Sequence, residues 1–220
     1  AMAFVVALTT TDCAPATVTR GPLPHPTRAR AFVNTFDRVL VAGFLADHMS
    51  DRGRDLDIND ETSRLIRMTL RSKGSFDVIE TQPLDLRRPD ATDASADERV
   101  LADVPFWRRL GEQYREPLIL TGSVMFKPIG PQFEERTTGR RTVRLWRPGF
   151  SLELRVVFIS GRTGQVLDSV SLGPVSAHAL EGRSSALARY FELMDRLRPS
   201  LLAAVGRDAG VGRTHVNHES

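Results

Sequence analysis

Residues 117–126, with the sequence PLILTGSVMF, constrain the fold of this chain more than any other stretch. Residues 118–120 are apolar at consecutive positions, which is typical of a strand covered on both faces, whereas a strand exposed on one face alternates. The three small residues that follow, Thr121, Gly122 and Ser123, leave room for a neighbouring backbone or for a bend. We therefore expect a central buried strand around which the other elements are arranged.

Residues 38–80 predict that the sheet is parallel on one side of this strand. Residues 38–44 (RVLVAGF) and 76–80 (FDVIE) each have the character of a short buried strand. Residues 59–73 lie between them and have the apolar spacing of a helix, with Asn59 as the predicted N-cap. A strand, a helix and a strand in this order form a parallel crossover unit.

A second helical stretch, residues 97–115, leads into the central strand and completes a second crossover. Pro105 divides this stretch, because a proline disrupts the interior of a helix but can begin one. The aromatic residues of its second part, Phe106 or Trp107 and Tyr114, are spaced as a buried stripe rather than as a ligand site.

The last third of the chain predicts antiparallel structure. Residues 150–159 alternate between apolar and polar side chains, which is the pattern of an antiparallel strand with one face exposed to solvent. Residues 165–172 return as its hairpin partner. Gly173 and Pro174 are expected to end that second strand.

The chain is expected to close with an amphipathic helix at residues 182–197, which Pro199 breaks. The predicted fold class is α/β: a mixed sheet with two parallel β-α-β crossovers followed by antiparallel hairpins, helices packed on the sheet, and a C-terminal helix. Residues 31–206 form this single domain. Residues 1–30 are a leader and a proline-rich disordered linker, and residues 207–220 are a disordered tail.

The N-terminal region contains a short apolar piece, residues 4–8, followed by Cys13, the sole cysteine of the chain. A cysteine placed after an apolar segment and before a flexible tether is typical of a lipid-modified bacterial envelope protein. The two threonines before it fit that pattern, but Asp12 is atypical. Two interpretations stay open: Cys13 is a lipidation site that anchors the domain, or the region is a disordered leader with an incidental cysteine.

The acidic loop at residues 45–58 offers the candidates for a metal or catalytic site. Asp55, Asp57 and Asn59 imitate the start of a calcium-binding loop, but the glycine and the final glutamate of such a loop are missing. A solvated acidic loop before a helix is the better interpretation. His48 could act as a general base, but the chain has no nucleophile elbow, phosphate loop or dinucleotide fingerprint. We predict no enzyme activity, no catalytic residue, no metal site and no cofactor.

Residues 127–149 are the most basic part of the chain and have the pattern of a long hairpin excursion. Arginines are interleaved there with two aromatic residues, and this combination is typical of a contact surface for an acidic partner, a sugar polymer or nucleic acid. On the alternative interpretation, the arginines keep an exposed hairpin edge from aggregating. The predicted contact residues are Phe133, Arg136, Arg140, Arg141, Arg144 and Trp146.

Composition narrows the class of protein and of partner. The chain has 220 residues, of which 41% are hydrophobic and 26% charged, and no run approaches the roughly 18 apolar residues of a membrane helix. Its 30 Lys and Arg residues are nearly balanced by 27 Asp and Glu residues, so we expect no nucleic acid partner. A single cysteine excludes an intramolecular disulfide.

Four segments resemble a known family of envelope domains. The segments RVLVAGF, FDVIE, LILTGSV and RTGQVLDS are similar to the group that contains the amino-terminal domain of TolB, the curli secretion lipoprotein CsgG and the penicillin-binding-protein activator LpoB. The resemblance covers about residues 38–205. Gly43 stands where this group commonly has a proline, and Ser160 stands where its hairpin often has an acid.

The resemblance implies a non-enzymatic accessory protein of the cell envelope. Such a protein is a periplasmic lipoprotein, anchored to the outer membrane by its lipid, that acts by protein–protein interaction in the assembly or regulation of an envelope machine. Its partners would be envelope proteins, peptidoglycan-associated ones among them. The alternatives are a homo-oligomeric subunit of a secretion or scaffold ring and, in a different class, a small-molecule-binding enzyme.

Overall fold

The computed structural model describes residues 33, 35–46, 49–51, 54–72, 76–86, 94–138, 141–178 and 185–205. The strands are β1 (Arg38–Ala46), β2 (Met49–Asp51), β3 (Arg54–Leu56), β4 (Asp77–Ile79), β5 (Leu118–Thr138), β6 (Arg141–Ser160) and β7 (Val166–His178). The helices are α1 (Ile58–Ser72), α2 (Ala94–Leu101), α3 (Val104–Gln113) and α4 (Ala186–Val205). The predicted leader, linker and tail lie outside the described residues.

The predicted mixed α/β sheet is confirmed, and it changes from parallel to antiparallel at the central strand. Five strands pair in the order β4-β1-β5-β6-β7. β1 is parallel to β4 and to β5, whereas β5 is antiparallel to β6, and β6 to β7. Both predicted crossovers are present, because α1 connects β1 to β4, and α2 with α3 connects β4 to β5. β2 and β3 form a separate two-stranded sheet.

Helices α1 and α4 cover one face of the sheet. The alternation predicted for residues 150–159 places Leu152, Leu154 and Val156 in this core, where each is fully buried. Burial of one such side chain stabilises the fold by about 1.5–3 kcal/mol. The hydroxyl of Tyr190 on α4 lies 2.6 Å from the Thr62 hydroxyl on α1, so a buried hydrogen bond joins the two helices.

Helices α2 and α3 cover the other face, at the end where β5 begins and β6 ends. Trp107 is fully buried there against Ile119 and Ile159. Its indole nitrogen donates to the Val100 carbonyl oxygen at 3.0 Å, which satisfies the one polar atom of the side chain. The predicted helix start at Pro105 is confirmed, since this proline lies in the first turn of α3.

Asn59 is not the N-cap that the sequence predicted for α1. Helix α1 begins one residue earlier, and the Asp57 side chain accepts a hydrogen bond from the backbone nitrogen of Asp60 at 3.0 Å. Asn59 instead accepts from the Phe44 backbone nitrogen at 2.7 Å and donates to the Leu84 carbonyl oxygen at 3.0 Å. Asp and Asn are both favourable N-cap residues. Because Asn59 is bonded to Phe44 and Leu84, Asp57 takes the capping role.

The predicted end of β7 at Gly173 and Pro174 is wrong, because the strand continues to His178. The register shifts at this point: Leu154 of β6 pairs with Leu172, and Leu152 with Val175. The glycine and the proline therefore occupy a bulge, where the proline needs no ladder hydrogen bond.

The predicted break at Pro199 is also wrong, because α4 includes this proline. The residues after it, Leu201 and Val205, are buried in the main core. Their burial offsets the cost of a proline in a helix interior, which is about 3 kcal/mol.

Candidate interaction site

Strands β5 and β6 continue past the sheet as a hairpin, residues 132–147, which we call the arm. β1 ends opposite Val124 and β7 ends opposite Gly149, so within the described part of the chain the arm strands pair only with each other. The register runs from Gln132 opposite Arg147 to Thr138 opposite Arg141. At about 3.3 Å per residue, the arm is roughly 23 Å long.

The base of the arm is fixed by a bulge and by the end of β7. Gly130 and Pro131 form a register shift in β5. The Nε2 atom of His178 lies 3.2 Å from the Gly130 carbonyl oxygen, within hydrogen-bond distance. Below the bulge, the rings of Phe126 and Phe150 stack with their centroids 5.3 Å apart. The arm therefore leaves the sheet from a packed position.

Phe133 and Trp146 lie directly opposite each other on the arm and are 53% and 56% exposed. The guanidinium of Arg144 lies over the Phe133 ring, 4.4 Å from its centroid, and a cation–π contact at an exposed site contributes about 0.5–1 kcal/mol. Strand alternation assigns Trp146 to the same side of β6 as Phe150 and Leu152, which face the helix-covered core. The aromatic pair therefore lies on the side of the sheet that α1 and α4 cover, but beyond the core, where it is exposed to solvent.

The arm carries the whole net charge of the chain. The arm contains five arginines and two glutamates, which leaves 25 of the 30 basic and 25 of the 27 acidic residues elsewhere. The rest of the chain is therefore neutral overall, and the net charge of +3 is concentrated on one projecting hairpin. A localised positive field of this kind attracts negatively charged groups more strongly than dispersed charges do.

The structure brings together three of the six residues predicted as contacts. Phe133, Arg144 and Trp146 form one cluster. Arg136 is placed opposite Val143, and Arg141 at the tip opposite Thr138; their side chains are not among those the structure describes. Arg140 lies outside the described residues, as does the lipidation candidate Cys13.

The sequence did not predict which residues of the arm face one another. Glu135 is placed directly opposite Arg144, so opposite charges meet across the hairpin. Next to them, the hydroxyls of Thr137 and Thr142 lie 3.1 Å apart. The cross-strand register would have identified these pairs, and it depends on the register shift at Gly130 and Pro131.

An open groove of about 820 Å³ lies between α1 and the extended segment after β4. Arg67 on its wall is buried and donates a hydrogen bond to the Thr81 carbonyl oxygen. Burial, and then the neighbouring Arg71, lower the pKa of Arg67 from its ordinary value. Burial, and then the nearby Asp57, raise the pKa of Asp60.

Two ion pairs lie along this groove. Arg64 forms an ion pair with Glu61 at 2.7 Å, and Arg71 forms one with Glu80. Arg67 clamps the segment after β4 through a main-chain carbonyl. The contacts of Arg67 and Arg71 therefore connect α1 to the segment that follows β4.

The residues weighed for metal binding or catalysis have structural partners where the structure describes them. Asp57 caps α1, and Asn59 links β1 to the segment after β4. His48 and the side chain of Asp55 lie outside the described part. Among the described residues, no three His, Cys, Asp or Glu side chains are grouped as a metal site would require.

A scan against protein-family models finds no match for this chain, and a search of curated proteins finds none either. Solved structures do show a distant likeness. The dodecamer of PelC from Paraburkholderia phytofirmans is 14% identical over 79% of this chain and 90% of that chain, with a TM-score of 0.41. The hypothetical protein CT253 from Chlamydia trachomatis is 13% identical over 77% and 95%, with a TM-score of 0.42.

A third solved structure is a neuraminyllactose-binding hemagglutinin homolog from Helicobacter pylori. It is 8% identical over 77% of this chain and 83% of that chain, with a TM-score of 0.37. Likenesses this distant carry no conclusion about function or assembly. None of the three proteins bears the name TolB, CsgG or LpoB, and membership of that group stays a prediction. In the described part of the chain, no helix has both the length and the apolar character to cross a membrane.

Proposed function

We propose that this chain is a non-enzymatic accessory protein of the cell envelope that acts by protein–protein interaction, with the arm as its contact element. The observation that carries the proposal is the pair Phe133 and Trp146, which lie side by side on a projecting hairpin and are each more than half exposed. Exposed aromatic side chains with an adjacent arginine are the residue types on which binding energy concentrates.

The physics of a two-stranded hairpin supports this assignment. An isolated pair of strands is only marginally stable in water and gains stability from a third strand or a packed partner. Phe133 and Trp146 are each more than half exposed, and the Phe133 ring is contacted by Arg144 of the same hairpin. A partner that packs on Phe133 and Trp146 would remove apolar surface from water at about 25 cal/mol per Å².

The envelope location is proposed from the sequence. Cys13 precedes a proline-rich linker, and a lipid on this cysteine would leave the folded domain on a tether of roughly 20–30 Å root-mean-square reach. A tether of this kind would let the domain search for a partner near the membrane surface.

Site-specific photo-crosslinking in the producing bacterium tests the contact role. Benzoylphenylalanine replaces Phe133 or Trp146 in the full-length chain, with Met68 on α1, which is 52% exposed, as the matched control position. We expect the same second protein to be crosslinked from both arm positions and not from position 68. Crosslinks that are equal at all three positions, or absent from the arm, would contradict the proposal.

Lipid labelling tests the envelope location separately. Cells that express the full-length precursor are fed radioactive palmitate and their membranes are fractionated. We expect label in the native chain and none after Cys13→Ser. A native chain that carries no label and fractionates with cytosolic proteins would overturn the envelope assignment.

A further inference from the structure

Arg67 is a buried guanidinium on the wall of an open groove. The groove has a volume of about 820 Å³ and lies between α1 and residues 80–83, beyond the carboxyl end of β4. Arg67 is 9% exposed and donates one of the five N–H groups of its guanidinium to the Thr81 carbonyl oxygen. In open α/β sheets, ligands bind in crevices outside the carboxyl ends of the strands. The groove therefore lies where this class of fold places ligands.

No ion pair neutralises Arg67 within the part of the chain that the structure describes. The Thr81 carbonyl oxygen carries no formal charge, and Asp60 attracts Arg67 without reaching ion-pair distance. Burial of an unpaired charge is costly, and it lowers the pKa of Arg67 accordingly. A negatively charged group bound in the groove would offset this cost.

The geometry of a guanidinium favours a carboxylate as that group. Its planar fork of N–H donors matches the two oxygens of a carboxylate, and the two parallel hydrogen bonds are stronger than neutral ones because both partners are charged. Since Arg67 is held by Thr81 on one side, its position is fixed before a ligand arrives. A fixed guanidinium loses less side-chain entropy on binding than a free one.

The groups beside Arg67 limit the charge of the ligand. Arg64 and Arg71 lie about one turn away on either side along α1, and both line the groove. Each is already paired with a carboxylate, Arg64 with Glu61 and Arg71 with Glu80. A second negative charge on the ligand would therefore find no unpaired cation and would approach these glutamates. The groove matches a ligand with a single negative charge.

The groove also offers apolar surface next to Arg67. Met68 is 52% exposed and lines the groove together with Pro83. A methionine side chain is flexible and polarisable, so it adapts to apolar groups of different shapes. A ligand that carries an apolar part beside its carboxylate would cover this surface and remove it from water.

We propose that the groove binds a small organic molecule through a single carboxylate, which pairs with Arg67, while its apolar part packs on Met68 and Pro83. The volume of the groove is within the roughly 300–1,000 Å³ that is typical of small-molecule sites. The groove is formed at the β4 edge of the sheet and shares no residue with the arm. The site is therefore additional to the proposed function and does not depend on it.

Titration of the isotope-labelled full-length chain with four small molecules, followed by NMR, tests the proposal. Hexanoate has the proposed chemistry. Hexanamide lacks the charge, adipate adds a second carboxylate, and acetate lacks the apolar part. We expect hexanoate to bind about tenfold more tightly than hexanamide, because a charge-assisted pair is lost, and several-fold more tightly than adipate or acetate. Equal affinity for hexanoate and any of the other three would overturn the proposal.

The Nε–H signal of Arg67 identifies where the ligand binds. We expect hexanoate to shift this signal and the amide signals of residues 80–82, because these groups border the groove. The signals of the arm should stay in place. If the largest shifts belong to the arginines of the arm, the anion binds there and the proposal is wrong.

Arg67→Gln separates the charge of this residue from its contact with Thr81, since a glutamine amide is a neutral donor. We expect the affinity for hexanoate to fall about tenfold and the affinity for hexanamide to stay the same. Arg108→Gln on α3 is the matched control, because it removes the same charge from an exposed side chain on the other face of the sheet. Equal losses for the two variants would show that binding follows net charge, which would contradict the proposal.

The comparison of ligands on the native chain also covers the case in which Arg67→Gln does not fold, which its amide spectrum would reveal. Hexanoate and hexanamide differ in charge and hardly in shape, so their difference in affinity does not depend on any substitution. Photo-crosslinking from the arm and hexanoate binding in the groove are separate outcomes, and failure of one leaves the other standing.

Discussion

Gly122 lies at a point in the sheet where a side chain has no space. Its φ is +146°, and a Cβ atom there would collide with the carbonyl oxygen of Arg155 on β6. The sequence predicted either a close backbone approach or a bend at residues 121–123, and the structure shows the close approach at Gly122. The neighbouring Thr121 hydroxyl donates to the Gly43 carbonyl oxygen at 2.8 Å, which ties β5 to β1 at the same level.

We expect Gly122→Ala to lower the free energy of unfolding by about 2–4 kcal/mol, because backbone strain and overpacking add. Urea denaturation followed by circular dichroism measures the change. Gly130→Ala is the control, since a Cβ at Gly130 has nothing within 4 Å, and it should change stability by less than about 0.5 kcal/mol. Equal losses for the two variants would contradict the packing argument.

The buried hydroxyls of Thr62 and Tyr190 form a directional pair. The Thr62 hydroxyl donates to the Ile58 carbonyl oxygen at 2.6 Å, so its single hydrogen is used and Tyr190 must donate to Thr62. Thr62→Val and Tyr190→Phe should each cost about 1–2 kcal/mol. In a double-mutant cycle, the loss in free energy of unfolding of the double variant should be smaller than the sum of the two single losses by about 0.5–1.5 kcal/mol. Strict additivity would show that the two hydroxyls do not interact.

The pH dependence of stability provides a second measurement on Tyr190. Burial raises the pKa of this phenol above its ordinary value of 10.0. The folded state therefore retains the phenol proton at a pH where the unfolded state loses it, and stability falls as the pH rises above about 10. Urea unfolding measured from pH 9 to pH 11 gives the difference in free energy of unfolding between the native chain and Tyr190→Phe. We expect this difference to decrease as the pH rises. A constant difference would contradict the assignment.

In helix α4, the packing of the residues after Pro199 outweighs the low helix propensity of this proline. Pro199 lacks the N–H that a helix interior uses, yet α4 continues to Val205. We expect Pro199→Ala to raise the free energy of unfolding by about 1–3 kcal/mol, because a hydrogen bond is restored and the side chain is exposed. Thermal unfolding measures this. Leu201→Ala should have the opposite effect, a loss of about 2–4 kcal/mol, and a gain from both would refute the explanation.

The elements that the sequence predicted well are those with a strong period. The consecutive apolar residues of β1 and of the start of β5 and the alternation of residues 150–159 each identified a strand, and Pro105 identified a helix start. Asn59 and Pro174 could not be read correctly, because their roles depend on partners distant in sequence: Leu84 for Asn59, and the shifted register of β6 for Pro174. Local propensity offers no signal for such partners.

The arm illustrates the same limit. Its composition identified Phe133, Arg144 and Trp146 as contact candidates, but composition does not say which residues face each other. The register shift after Ile129 sets the pairs, and it depends on the backbone of Gly130 and Pro131. A shift by one residue would move every arm side chain to the opposite face.

At the scale of the whole molecule, the charge distribution matters more than the net charge. The basic excess resides on the arm, and the rest of the chain is balanced. The order of crossovers and hairpins was readable from the sequence, but the projection of this excess from the sheet required knowledge of where β1 and β7 end.

Cation-exchange chromatography tests whether the charge acts as a patch. We expect the triple variant Arg141→Gln, Arg144→Gln and Arg147→Gln to elute at clearly lower salt than the native chain. A control with Arg108, Arg162 and Arg198 changed to Gln has the same net charge and removes exposed arginines from the body. It should elute nearer to the native chain, because a clustered field binds the resin more strongly. Identical elution of the two variants would show that the arm charge is not effective as a cluster.

The pairing of β5 with β6 has a practical consequence for handling the protein. The two strands are joined by a ladder that extends from Leu118 opposite Ser160 to the tip of the arm. Because the core lies at one end of this ladder and the chain reverses at the other, the tip is the place where the polypeptide could be opened or lengthened at least cost. A fluorescent tag, an epitope or new chain termini introduced at residues 139–140 should leave the domain folded.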